Sequence, residues 1–280
     1  MTRRNFSKIA LASVAAPVLG AIDSKIDGVM IGAQTYSFEH LPLDDGIAAM
    51  KDIGLGYAEL FEGHIKPRDP SQLGEWRSHP PMGEIRAVRA KFDEAGIELY
   101  AFNYSFKDEF TDEQIDQGFQ MARTLGVTRI TSSSNVDMSA RIDRYALQYG
   151  IYVGHHNHDS MKPNEFSTPE DWKRALEGRS KYACINLDIG HFTAAGFDPV
   201  SFLEEHHAKI LTLHIKDRKR NHGPNMPFGQ GDTNIKGVLE VLKTKRYPIP
   251  AMIEYEYGPR GKESPAEVKK CFDYCKAALA

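Results

Sequence analysis

The sequence predicts a single α/β domain, a closed (β/α)8 or TIM barrel, and three observations favour this fold. Short apolar segments rich in β-branched and aromatic residues alternate with amphipathic segments along the chain. Eight such pairs occupy most of the 280 residues, which is a length typical of one closed barrel. No linker, low-complexity tract or block of like charge divides the segments into two domains. We therefore expect one barrel over residues 28–280.

In the first half of the chain, apolar runs predict the strands and glycines mark the helix ends. Gly54, Gly96 and Gly126 each follow an amphipathic segment, where a left-handed residue commonly ends a helix. Residues 62–81 are rich in Pro, Ser and Gly and are predicted as a loop that contains Trp76. The predicted strands are 29–36, 57–61, 97–103 and 127–131, and the predicted helices are 43–53, 83–94, 112–125 and 138–149.

In the second half, three helix starts carry the same signature. Thr168-Pro169, Asp198-Pro199 and Ser264-Pro265 each place a capping residue before a proline at the first helical position. The predicted strands begin at residue 151 and span 183–188, 210–216 and 251–257. The predicted helices are 168–176, one from 198, 234–245, and one from 264 to the C-terminus.

Polar residues collect where the last four strands end. In a barrel of this type, the C-terminal strand ends share one face, and chemistry takes place there. Residues two apart on a strand point to the same side, so these ends can bring together one His, one Asp, a second His and one Glu. Such a mixed set suits Mn²⁺, Zn²⁺, Co²⁺ or Fe²⁺ better than Mg²⁺ or Ca²⁺. A single His at such a position is more often structural, but four successive strand ends of ligand type favour a metal centre.

Three stretches carry a resemblance to a known family. Asn186-Leu-Asp-Ile-Gly-His191, Leu213-His-Ile-Lys-Asp217 and Met252-Ile-Glu-Tyr-Glu256 resemble strand ends of the xylose-isomerase-like barrel superfamily, in particular its sugar phosphate isomerase/epimerase branch. The resemblance implies a divalent metal, for which we expect Mn²⁺, with Zn²⁺, Co²⁺ or Mg²⁺ as alternatives. It also implies the ligands Asp188, His214 and Glu254. Where many members have a Glu on the fifth strand, this chain has His156, which we predict as the fourth ligand.

The resemblance also implies roles for residues around the metal. Glu254 is the expected base, His191 is expected to contact substrate oxygens, and Lys216 to steady a negatively charged oxygen. Salt bridges of Lys216 to Asp217 or Glu254 are the alternative. Expected substrate-binding residues are Glu59, Asn103, His158 and Arg220.

Several of these assignments have open alternatives. Glu59 could instead form a structural pair with an Arg, and His158 could orient a metal ligand. The loop 218–234 is expected to cover the site, and Trp76, Phe106 and Phe192 could stack on sugar rings.

The expected function is a metal-dependent sugar isomerase or epimerase that removes a proton beside a metal-polarised carbonyl and forms an enediolate. The absence of a Glu on the fifth strand argues against an epimerisation in which two glutamates act symmetrically as bases. A lyase that eliminates the C1 group of 3-keto-glycosides is therefore the alternative. A periplasmic sugar-binding protein without catalytic activity is a third hypothesis.

Composition and the N-terminus predict the compartment and exclude some partners. The chain is 41% hydrophobic, 26% charged and carries a net charge of -3, which does not favour nucleic-acid binding. Residues 1–21 resemble a twin-arginine export signal, with Arg3 and Arg4 before a short apolar run. Cleavage would remove Arg3, Arg4 and Lys8 and change the net charge from -3 to -6. We expect a periplasmic protein that binds a small sugar or glycoside, is free of the membrane after cleavage, and could form an oligomer.

Overall fold

Eight parallel strands close into a barrel, which confirms the predicted fold class. A computed structural model of the chain describes residues 20–280. Each strand pairs in parallel with the next in sequence, and the first strand also pairs with the last, so the barrel is closed. The strands are β1 (Val29–Gln34), β2 (Tyr57–Phe61), β3 (Glu98–Asn103), β4 (Arg129–Ser132), β5 (Tyr152–His156), β6 (Ala183–Asp188), β7 (Ile210–Ile215) and β8 (Ala251–Ile253).

Ten α-helices cover the barrel within residues 20–280, and most begin and end where the sequence predicts. Gly54 and Gly96 have φ values of 91° and 74°, a conformation that glycine adopts at low cost, and each ends a helix. The helices are α1 (Leu43–Ile53), α2 (Leu73–Ser78), α3 (Met82–Ala95), α4 (Asp112–Thr124), α5 (Ser139–Tyr149), α6 (Pro169–Leu176), α7 (Ile189–Ala194), α8 (Pro199–His206), α9 (Ile235–Lys245) and α10 (Ser264–Leu279).

Two helices were not predicted, strand β1 ends two residues earlier than predicted, and strand β8 ends four residues earlier. Helix α2 lies in the segment predicted as a loop, and its Trp76 is buried in the core. Helix α7 begins directly after β6 because the Asp188 carboxylate accepts a hydrogen bond from the His191 N–H at 2.7 Å. Strand β8 ends at Ile253, since the Tyr255 N–H donates to the Ser37 side chain at 2.9 Å rather than to a neighbouring strand.

Strand alternation separates an apolar outer layer from a polar upper interior. In β5, His155 points outward and stacks on Phe166 at 4.9 Å between ring centroids. Gly154 points inward, where a Cβ would come within 3.1 Å of the Asn186 Cβ. The bottom of the interior is filled by Tyr57, Tyr100, Ala101 and Met252. The polar side chains at the C-terminal end of the barrel therefore lie above a packed layer of side chains.

The predicted export signal lies outside the described residues. Within residues 20–280, none of the helices combines the length and the hydrophobicity that crossing a bilayer requires.

Candidate metal centre and active-site cavity

The four residues predicted as metal ligands converge at the C-terminal mouth of the barrel. His156, Asp188 and His214 lie on β5, β6 and β7, and Glu254 follows β8 directly. Each offers one ligand atom, and these atoms all lie within 4.8 Å of one another. All four residues are buried, with exposed fractions between 0% and 6%. The register of the parallel strands produces this convergence, because Asp188 is paired directly with His214.

Neighbouring side chains orient both imidazoles. The Nε2 of His214 lies 3.0 Å from Glu59 Oε1, while its Nδ1 faces the cluster. The Nδ1 of His156 lies 2.8 Å from Asn186 Oδ1, which leaves Nε2 as the free ring nitrogen. Metal-binding histidines commonly donate their second ring N–H to a carboxylate or carbonyl in this manner. Both imidazoles are therefore held as metal ligands usually are.

The donor atoms of the cluster fit a divalent cation. Asp188 Oδ2, Glu254 Oε2 and His214 Nδ1 are buried and make no hydrogen bond of acceptable geometry, although charged neighbours lie 3.0–3.1 Å away. Buried polar atoms are nearly always hydrogen-bonded, so three converging exceptions call for another partner. Two imidazole nitrogens and two carboxylate oxygens match the donor preference of Mn²⁺ and Zn²⁺.

Lys216 is the buried cation beside this cluster. Its side chain is 2% exposed, and Nζ lies 3.0 Å from Asp188 Oδ2, 3.0 Å from Glu254 Oε2 and 2.7 Å from Glu256 Oε2. Burial opposes its charge, but the three carboxylates outweigh burial and raise the pKa of Lys216 well above its usual value. Its ammonium group is therefore charged at neutral pH and shared by three carboxylates.

Opposite charges also set the protonation of Glu254 and His214. Burial alone would raise the pKa of Glu254, but Lys216 and His214 outweigh burial and hold it well below its usual range. Burial would lower the pKa of His214, but Glu59 and Glu254 outweigh it and raise that pKa well above its usual value. Glu254 is therefore an ionised carboxylate at neutral pH.

A cavity of about 270 Å³ opens above the cluster. Three kinds of side chain line it: neutral hydrogen-bonding groups, aromatic rings, and imidazoles and carboxylates that belong to the cluster or lie beside it. These are Gln34, Asn103, Ser105 and Ser133, then Tyr36 and Phe61, then His156, His158, His191, His214, Glu254 and Glu256. A larger cavity of about 520 Å³ lies between α6 and α8, has a mainly apolar wall and is remote from the strand ends. The smaller cavity is the candidate active site because the perturbed ionisable groups border it.

The predicted site residues fall into two groups. Asn103, His158 and His191 line the cavity, and the ring of His158 lies 4.9 Å from that of His156 and 5.2 Å from that of His191. Arg220 is exposed and lies outside the cavity, which departs from its predicted role in substrate binding. Its neighbour Arg218 turns inward.

Glu59 contacts His214 rather than an arginine and is not among the residues that line the cavity. It is 0% exposed, and its Oε1 accepts hydrogen bonds from Gln34 Nε2 at 2.8 Å and Thr131 Oγ1 at 2.6 Å and faces His214. It therefore supports His214, a predicted metal ligand, from below, which a strand-face argument cannot reveal because the partner is 155 residues away.

The aromatic residues predicted to stack on a sugar lie in the hydrophobic core. Trp76, Phe106 and Phe192 have exposed fractions of 7%, 0% and 1%, and pack against other apolar side chains. Tyr36 and Phe61 line the cavity instead, with ring centroids 4.9 Å apart. Their positions just after β1 and at the end of β2 are the sequence signal that could have identified them as residues of the barrel mouth.

The segment predicted to cover the site is held firmly. Asp217–Arg218 pairs in antiparallel fashion with Asn225–Met226. The Asp217 carboxylate accepts hydrogen bonds from the backbone N–H groups of Gly229, Gly231 and Thr233 at 2.7, 2.9 and 3.2 Å. Asn225 Nδ2 donates to Glu256 Oε2 at 3.2 Å, which ties the segment to the cavity wall.

The fold and the cluster together define a class: a TIM barrel with a mixed histidine and carboxylate centre at its C-terminal mouth. The family model described as xylose isomerase-like TIM barrel matches residues 47–277. The chain therefore belongs to the xylose isomerase-like TIM barrel family, as its motifs predicted.

Similar proteins include one curated enzyme and several solved structures. Over 93 residues, the chain is 33% identical to L-ribulose-5-phosphate 3-epimerase from Escherichia coli, which covers 33% of this chain and 32% of the relative. The match thus spans about a third of the length of the curated relatives. A sugar phosphate isomerase/epimerase structure from Parabacteroides distasonis has a TM-score of 0.67 at 20% identity and covers 91% of this chain and 98% of that one. The IolI protein, solved with a zinc atom, has a TM-score of 0.64 at 16% identity and covers 90% and 96% of the two chains. At these identities, the two structures show the fold alone.

Proposed function

We propose that the protein is a divalent-metal-dependent sugar isomerase or epimerase that acts by proton transfer next to a carbonyl. The observation that carries this proposal is the ionised Glu254 beside the buried Lys216, both against the four-residue cluster under one cavity. A base, a nearby positive charge and a set of metal ligands are groups that promote enolisation of a sugar. The isomerase and epimerase names among its relatives support the same class.

His156, Asp188, His214 and Glu254 would hold the metal. When bound, such an ion polarises the sugar carbonyl and makes the adjacent C–H more acidic. We propose Mn²⁺ first, and Zn²⁺ as the alternative that the zinc in IolI supports.

Side chains on two sides of the cavity would act on the substrate. Glu254 is ionised, so it can accept the proton that leaves the carbon next to the carbonyl. The Lys216 ammonium group lies behind Glu254 and does not line the cavity, so its charge, rather than a direct hydrogen bond, would stabilise the oxygen that becomes negative in the enediolate. From the β5 side, burial lowers the pKa of His158 to about 4, so this imidazole is neutral at pH 7 and can accept a hydrogen bond from a substrate hydroxyl group. His191, whose Nε2 lies 3.1 Å from Lys216 Nζ, is placed to contact substrate oxygens beside it.

Hydrogen exchange into a ketose tests this proposal directly. Protein loaded with Mn²⁺ is incubated in heavy water with free ketopentoses and ketohexoses, and recovered sugar is examined by mass spectrometry and NMR. Deuterium at the carbon next to the carbonyl is expected, and a change of configuration or of carbonyl position distinguishes an epimerase from an isomerase. Release of the aglycone from a 3-keto-glucoside, without exchange into any ketose, would instead identify a lyase.

A matched pair of variants ties the exchange to the proposed base. Glu254→Gln is expected to abolish exchange, because the amide cannot accept the proton. Glu62→Gln makes the same change at another buried glutamate, one that pairs with Lys66 at 3.2 Å rather than with the cluster. Equal loss in both variants would argue against Glu254 as the base.

We also propose that the protein is exported through its twin-arginine-type N-terminus. Replacing Arg3 and Arg4 by Lys should retain the protein in the cytoplasm in cell fractionation, and unchanged secretion would contradict the proposal.

A further inference from the structure

We infer that the cavity selects an uncharged sugar and discriminates against a sugar phosphate. This inference rests on the proposed function and specifies its substrate class. It is based on how the charged groups around the cavity are paired. A phosphate group carries about two negative charges and needs Arg, Lys or a free helix N-terminus to bind it.

The wall of the cavity offers hydroxyl partners rather than phosphate partners. Among the described residues that line it, none is Lys or Arg. Gln34, Asn103, Ser105 and Ser133 supply neutral donors and acceptors, which suit sugar hydroxyl groups. Glu254 and Glu256 face the same space, and their carboxylates would repel a dianion.

The cations nearest the cavity are already committed to carboxylates. Lys216 lies within 3.0 Å of three of them and is 2% exposed. Arg218 pairs with Asp159 at 2.6 Å and donates two further hydrogen bonds to the Gly223 carbonyl at 3.1 and 2.7 Å. Turning Lys216 to a phosphate would leave the buried carboxylates of Asp188 and Glu254 without this cation. Turning Arg218 would break its ion pair with the half-buried Asp159 and both of its hydrogen bonds to Gly223.

Two other sources of positive charge are set apart from the cavity. Arg260 reaches the rim through Tyr36, whose hydroxyl lies 3.4 Å from its Nη1, but its guanidinium is paired with Glu39. Lys66 and Arg68 line a separate cleft of about 300 Å³ that does not share a lining residue with the cavity. Arg260 is therefore the cation that would have to change partner for a phosphate to be accepted.

Matched sugar pairs test the inference. Calorimetric titration of the Mn²⁺-loaded protein compares L-ribulose with L-ribulose 5-phosphate, and D-fructose with D-fructose 6-phosphate. The free ketose of at least one pair is expected to bind at least about tenfold more tightly than its phosphate, because the carboxylates of the wall repel the negative charges of the phosphate group. Tighter binding of the phosphate in either pair would overturn the inference, and loss of that preference in Arg260→Gln would identify the residue responsible.

Two variants of one wall residue sharpen the result. Ser105→Arg places a cation on the wall and is expected to strengthen phosphate binding at least about tenfold, relative to Ser105→Gln, which adds bulk without charge. No gain from the arginine would mean that the wall charge does not control selection and would overturn the inference.

Exchange in heavy water on the same sugars separates this inference from the proposed function. Binding of a free ketose without exchange would support the uncharged substrate class and refute the enzyme. Exchange into the phosphates in preference to the free ketoses would support the enzyme and refute the uncharged substrate class. Neither binding nor exchange with any sugar would overturn both.

Discussion

Glu59→Gln is the sharpest test of how the barrel supports the proposed metal centre. Glu59 lies beneath the cluster, is fully buried, and places Oε1 at 3.0 Å from the Nε2 of His214. The substitution keeps the shape of the side chain but removes the negative charge that raises the pKa of His214. The imidazole then becomes a poorer donor to a cation at its Nδ1. We therefore expect weaker metal binding without loss of a direct ligand.

The expected magnitude follows from what such supporting contacts contribute. Removal of a carboxylate that orients a metal-binding histidine typically costs ten- to a hundredfold in affinity, or about 1.4 to 2.8 kcal/mol. The effect should fall within this range because His214 retains Glu254 at 3.1 Å as its second carboxylate neighbour.

Competition with a fluorescent chelator measures the affinity for Mn²⁺ and Zn²⁺ in the parent, Glu59→Gln and Glu62→Gln. Urea unfolding in EDTA shows whether each variant folds. Unchanged affinity in a folded Glu59→Gln protein would refute the supporting role, as would an equal loss in Glu62→Gln.

Three further predictions follow from the strand faces, a buried imidazole and the covering segment. His156→Ala should lower metal affinity by at least about tenfold in the same competition assay, whereas His155→Ala, on the outer face of β5, should not; equal losses would show that the register is wrong. Burial lowers the pKa of His155 to about 4, below its value of about 6.5 in the unfolded chain, so the unfolded state gains protons first as the pH falls. His155→Phe should therefore be less acid-sensitive than the parent by roughly 2 kcal/mol between pH 7 and pH 5 in urea unfolding, and parallel losses would contradict this. Asp217→Asn replaces the carboxylate that accepts three backbone hydrogen bonds by a neutral amide and so weakens these bonds. Hydrogen exchange in residues 224–233 should therefore accelerate at least about tenfold while the barrel strands remain protected, and unchanged exchange would contradict this.

Much of the site was predictable because a barrel turns sequence position into spatial position. Strand ends meet at one mouth, and alternation decides which side chains point inward. These rules group one residue of ligand type from each of four strand ends, and the family resemblance then singles out His156, Asp188, His214 and Glu254. The opposite orientation of His155 follows from the same rule.

Other features depend on contacts that strand position does not specify. Glu59 sits under His214 only because the closed barrel brings inward side chains of β2 and β7 together in its interior. Arg218 rather than Arg220 turns inward because Asp159 and the Gly223 carbonyl hold its guanidinium. Trp76 lies in the core because its segment folds into α2.

The sequence by itself determined the order of strands and helices and the closed barrel, and its resemblance to a family predicted the four candidate metal ligands. The barrel depends on local periodicity and on rules that hold for every parallel barrel, whereas the choice of ligands depends on the motifs that carry the resemblance. Only the tertiary structure decided how the charges pair. Lys216 is shared by Asp188, Glu254 and Glu256 because side chains from distant strands come within 3.0 Å of one another, and the described residues that line the cavity include neither Lys nor Arg. Electrostatic interactions depend on such distances and on burial, and neither can be read from spacing along the chain.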